Sequence, residues 1–130
     1  MKLESKTVTV QKSADALCDH LVDVKNFEAL MPENISKFEV LSDQSFVFAL
    51  KGMPEIGLEV KTVERPEKIV LGAISDKIPF QLTGNITAVN ETSSSCNLVF
   101  EGDFNPMMAM MIKAPITKFI DTLITNVEQL

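Results

Sequence analysis

The chain has no tryptophan and no tyrosine, a single histidine, two cysteines, and only five glycines and six prolines among its 130 residues. Each scarcity closes a class of function. Nucleic-acid binders neutralise phosphates with clustered lysine and arginine. Here Arg65 stands alone, and twelve basic against eighteen acidic residues leave a formal charge of −6. The missing basic stripe argues equally against anionic membrane surfaces. A Ser-His-Asp or Cys-His arrangement would have to use His20, and no glycine-flanked nucleophile accompanies it. One histidine and two distant cysteines do not make three close metal ligands. There is no G-x-G-x-x-G and no phosphate loop, so no nucleotide cofactor is expected. No apolar run approaches the ~18 residues of a membrane helix, which argues against membrane insertion. Met1 to Val10 alternates polar and apolar residues and lacks an export-signal core. The expected location is therefore cytoplasmic, with Cys18 and Cys96 as buried thiols rather than a disulfide.

What the sequence does contain is pattern. Leu3 to Val10, rich in Thr and Val, reads as a strand. Ser13 offers a helix cap, and Ala14, Leu17, Cys18, Leu21 and Val22 follow at helical spacing. A second short helix, Phe27 to Met31, is stopped by Pro32. From Ile35 the apolar period drops from about 3.6 to 2 and stays there for some seventy residues. Phe38 and Val40, then Phe46, Phe48 and Leu50, then Leu58, Val60 and Thr62 mark three strands. Ile69 to Ile74 is a fourth, Phe80 to Ala88 a fifth, and Leu98 to Phe104 a sixth. Turns are expected at Ser42 to Gln44, Gly52 to Gly57, Arg65 to Lys68, Asp76-Lys77 and Glu91 to Ser95. One face of these strands is dry and the other wet, as in an antiparallel sheet covered on one side and joined by hairpins. Pro106 to Leu130 returns to helical spacing. At ~1.5 Å per residue it is about 37 Å long, with Asn105 to cap it and Pro115 expected to kink or split it. This helix is the only element large enough to cover the sheet. A twisted sheet would curl around it and leave part of the concavity unfilled.

This element order, the short helical pair ending Asn26-Phe27-Glu28-Ala29-Leu30-Met31-Pro32, and the closing helix resemble the START-like helix-grip (SRPBCC) superfamily. That superfamily includes the birch-pollen allergen, lipid-transfer START domains and polyketide cyclases. The run Asn105 to Pro115 is similar to the closing helix of small bacterial members. The resemblance covers residues 1–130 as a single domain and implies an α+β helix-grip fold. A seven-stranded curved antiparallel sheet would wrap a long C-terminal helix, with two short helices after the first strand. It also implies a cavity between sheet and helix. Plant members carry a longer glycine-rich loop than Gly52 to Gly57, which argues against analogy to plant hormone binding.

The candidate ligand contacts follow from the dry faces. Strand positions contribute Phe46, Phe48, Leu58, Val60, Phe80, Leu82, Phe100 and Phe104. The short helix contributes Phe27, Leu30 and Met31, and the long helix Met108, Met111, Ile112 and Phe119. Such a lining offers almost no polar handles and suits an aliphatic or polycyclic ligand, and the resemblance implies a lipid, polyketide or aromatic molecule; Thr62, Ser75 and Gln81 are the polar candidates. Four of the seven methionines fall within Met107 to Met111, where pliable thioethers suit a gate or an interface. The sequence thus favours non-catalytic binding or transport of a small apolar molecule by a monomer or homodimer. Two alternatives remain: a cyclase- or hydratase-like enzyme on the same fold, and a protein-interaction module using the Met-rich helix start.

Overall fold

A computed structural model describes residues 1–52, 55–74 and 80–130. The Asp76-Lys77 turn, Ser75 and the Met53-Pro54 part of the Gly52 to Gly57 loop lie outside the described residues. The chain forms β1 (Lys2–Glu4), β2 (Val8–Val10), α1 (Ala14–Val22), a 3₁₀ turn (Val24–Asn26) and α2 (Phe27–Leu30). There follow β3 (Ile35–Ser42), β4 (Ser45–Leu50), β5 (Ile56–Glu64), β6 (Lys68–Ala73), β7 (Phe80–Ala88), β8 (Ser94–Gly102) and α3 (Pro106–Glu128). The strands make one curved antiparallel sheet in the order β1-β8-β7-β6-β5-β4-β3, with β2 also on β8. The expected α+β helix-grip architecture is what the chain adopts.

Several elements depart from the periodicity in instructive ways. The first strand is broken: Glu4 faces Val99 and Val8 faces Cys96, so the N-terminal strand spends one more residue than its partner. Ser5 fills the break, its backbone N–H donating to the Leu98 carbonyl and its Oγ accepting from the Leu98 N–H, both at 2.8 Å. A side-chain oxygen has replaced a ladder carbonyl, which is how a bulge stays satisfied. A register shift between Val60 and Thr62 has a similar effect in β5. Thr62 is exposed, and Val63 takes its place against the core. The serine-rich turn is also shorter than its composition suggests. Ser94 is fully buried at the start of β8, its Oγ donating to the Lys12 carbonyl at 2.9 Å. The last strand ends at Gly102, and Phe104 lies beyond it. Val40 sits on the edge strand β3, beyond reach of the covering helices, and is exposed.

The helices begin where side-chain chemistry says they should. Ser13 Oγ accepts from the Ala16 N–H at 3.1 Å, and Asn105 Oδ1 accepts from the Met108 N–H at 2.8 Å. Such caps satisfy amides the helix itself cannot. α3 runs unbroken through Pro115. Its burial does not run unbroken. Ile116, Phe119, Ile120, Leu123, Ile124 and Val127 are buried, whereas residues 106–115 include no buried side chain. Asn126 Nδ2 donates to the Leu30 carbonyl at 2.8 Å and ties this second half to the end of α2. The second half therefore grips the sheet, each buried aliphatic contributing ~1.5–3 kcal/mol, while the first half rests on it. Among the described residues no helix is long and apolar enough to cross a membrane.

Two substitutions on one helix separate these halves. Leu123→Ala should lower the unfolding free energy by about 2–5 kcal/mol, and Met110→Ala should change it by less than ~0.5 kcal/mol, both read from urea denaturation. Equal costs would mean that α3 is held along its whole length.

Candidate functional site

Below the second half of α3 lies a hollow of about 20 Å³, the space of about one water molecule. α1 gives it Leu21, α2 Phe27 and Leu30, β6 Ile69 and Leu71, β7 Leu82 and Gly84, β8 Leu98, and α3 Leu123 and Val127. Every lining side chain is hydrocarbon. Gly84 puts no side chain into the hollow, and a Cβ built there would come no nearer than 3.8 Å to Leu98.

Of the residues singled out from the sequence, Phe27, Leu30 and Leu82 line this hollow. Phe46, Phe48, Leu58 and Met31 are buried nearby as packing, and Val60 is half-buried. The phenylalanines form two stacks. Rings of Phe27 and Phe46 lie 5.2 Å apart, those of Phe46 and Phe48 6.0 Å, and those of Phe48 and Phe119 4.8 Å. This ladder runs from the hollow to a surface groove at Phe119. The second stack joins Phe80, Phe100 and Phe104 at 5.4 and 6.0 Å. There Gly102 is required, because Phe104 folds back into the place a Cβ would occupy, and the Phe80 Cβ would be only 2.8 Å away. Met108 and Ile112 are half-buried, whereas Met107, Met110 and Met111 are 75%, 82% and 70% exposed. Met111 therefore faces a groove and not the hollow.

That groove follows the outer side of α3 and has two adjoining parts, of about 420 and 450 Å³. Asn34, Leu50, Pro115 and Lys118 line both. Pro32, Glu33, Phe119 and Thr122 extend it one way, and Lys51, Gly52 and Met111 the other. Sequence reasoning missed the groove, and it placed the candidate cavity nearer the methionines than the hollow lies. Leu21, Leu98, Leu123 and Val127 were legible as apolar positions. Nothing in their spacing distinguished a residue beside a hollow from one in solid core.

Titratable groups with displaced equilibria lie elsewhere. Burial pushes the Cys96 thiol up to about 12. It also raises Cys18, an effect partly offset by the nearby Arg65 charge. His20 is held below its usual range, first by burial and then by Lys12. Arg65 donates to Asp19 across the surface and Lys37 to Glu55, and each is raised by that hydrogen bond. None of these groups lines the hollow. Both cysteines are free and buried. Among the described residues no cluster of His, Cys, Asp or Glu could hold a metal ion.

No family model matches the chain, and no curated protein sequence matches it. Solved structures do. A START superfamily protein from Mycobacterium smegmatis superposes with a TM-score of 0.68 at 14% identity, over 98% of this chain and 94% of that one. The fold is START-like. Norcoclaurine synthase from Thalictrum flavum gives a TM-score of 0.75 at 13% identity, over 99% of this chain and 84% of its own. The protein XoxI from Bacillus cereus gives 0.67 at 8% identity, over 98% and 93%. At such identities the START-like architecture is shared and the site chemistry is not thereby given.

The buried thiol of this START-like chain makes a pH prediction. Between the ordinary value of 9.0 and about 12, the unfolded chain has lost the Cys96 proton that the native chain keeps. Stability is thus fully present below pH 9 and falls as pH climbs towards 12, by at most ~1.4 kcal/mol per unit. Urea midpoints measured from neutral to strongly alkaline pH should fall more steeply in the unaltered protein than in Cys96→Ala. Parallel slopes would show that the thiol is not withheld from solvent.

Proposed function

We propose that the protein binds a small apolar molecule, a lipid, polyketide or aromatic, between the sheet and α3, and acts as a carrier or reservoir for it. The observation that carries this reading is a hollow lined only by hydrocarbon beneath the second half of α3. At about 20 Å³ the hollow is a closed form. Ligand pockets typically offer ~300–1,000 Å³, so binding requires the helices that line the hollow, α1, α2 and the second half of α3, to move apart, with Pro115 as the natural hinge of the long helix. Pro115 lacks the amide that would bond the Met111 carbonyl, so the helix is weakest there.

A cyclase- or hydratase-like activity needs a titratable group facing the ligand, and the hollow's lining has none. That favours binding over catalysis. The exposed Met107, Met110 and Met111 support a second reading, a protein-interaction surface of adaptable thioethers.

The test is a panel of fatty acids, polycyclic aromatics and an environment-sensitive fluorophore, titrated into the protein and into Gly84→Val. Saturable binding is expected, and filling the hollow should weaken it about tenfold or more, with overpacking costing about 1–3 kcal/mol of stability. If no compound binds saturably, the carrier reading fails and the interaction surface becomes the better account.

A further inference from the structure

The groove beside Pro115 has a charge that the rest of the chain does not prepare for. On a protein of net charge −6, two lysines line it from opposite walls, Lys51 after β4 and Lys118 on α3. Among the described residues neither has a carboxylate within ion-pairing distance, as is true of most lysines in this chain, so what sets these two apart is that they line one groove. The rest of the lining is mainly apolar, with Leu50, Met111 and Pro115, and Asn34 is its one neutral polar side chain. Gly52 adopts φ +84°, and among the described residues nothing lies within 4 Å of a Cβ placed there. Inward, the groove ends on Phe119, which the phenylalanine ladder connects to the hollow. One carboxylate, Glu33, lines the far part.

We propose that this groove is a headgroup site for a single-chain carboxylate amphiphile. Lys51 and Lys118 hold the carboxylate, and the alkyl chain runs over Leu50 and Pro115 towards Phe119. This rests on the apolar-ligand reading above and specifies the ligand's charged end. Two ammonium donors on separate walls suit an acceptor-only group. Glu33 disfavours an anion in the far part and so places the headgroup at the Lys51 end. A neutral alcohol of equal length would make the same apolar contacts without the charge pairing.

Calorimetric titration with decanoate and with 1-decanol separates the two contributions. Decanoate should bind about tenfold more tightly at low salt, a gap that shrinks near 1 M salt as charges are screened. In the double variant Lys51→Glu, Lys118→Glu the preference should vanish while decanol affinity is unchanged. Both side chains are exposed, and a thermal midpoint close to that of the unaltered protein would confirm folding. Equal affinities for the two probes, or a preference that survives the double variant, overturn the headgroup site but leave the apolar-ligand reading intact. Failure of both probes to bind overturns the two together.

Discussion

A one-sided sheet must hide its dry face, and in this chain the hiding is done by the second half of a single helix. Ile116, Phe119, Ile120, Leu123, Ile124 and Val127 are sunk into the concavity, and Asn126 anchors them to the end of α2. The first half of the same helix carries a good cap and a favourable first-position proline but has no fully buried side chain, only half-buried ones such as Met108 and Ile112. Local helix chemistry and tertiary packing are therefore satisfied by different stretches. Pro115, which forfeits one backbone hydrogen bond, sits where they meet.

The interior features follow from that division. Where the helix grips, its side chains are buried in the core, and a small hollow remains beside Gly84. Where it merely rests, thioethers face solvent and a groove opens along its flank. The shifted thiols and the imidazole belong to the packing of α1 and β8 and do not reach the hollow. Likeness to norcoclaurine synthase thus concerns the frame. Chemistry on a shared frame depends on side chains that each chain supplies for itself.

The legible parts of the sequence were those governed by period. The change of period at Ile35 marked the sheet, Pro32 ended the short helix pair, and Asn105-Pro106 opened the long helix. Errors arose where a strand gained or lost a residue. The Ser5 break and the Val60-Thr62 shift each alter which side chains face inward, and an alternation count has no means of registering a residue accommodated by a bulge. Serine-rich composition suggested turn through Ser95, yet Ser94 pairs in the ladder because a nearby carbonyl, that of Lys12, accepts its hydroxyl. Among candidate contacts, apolar character was visible at every position. Whether a given phenylalanine stacks in the core, as Phe46 does, or lines a groove, as Phe119 does, was not.

Hydrophobic periodicity determined a one-sided antiparallel sheet that the long closing helix must cover, because a period of 2 or 3.6 dictates which faces must meet. It also determined that the interior would be oily, because the dry positions hold almost nothing else. Only the tertiary structure decided how much of that interior is empty, since void volume depends on how side chains from α1, α2, α3 and three strands mesh at one place. The same holds for the pairing of Lys51 with Lys118 across a groove: sixty-odd residues separate them in sequence, and only the seating of α3 against the β4 end brings their charges to one site.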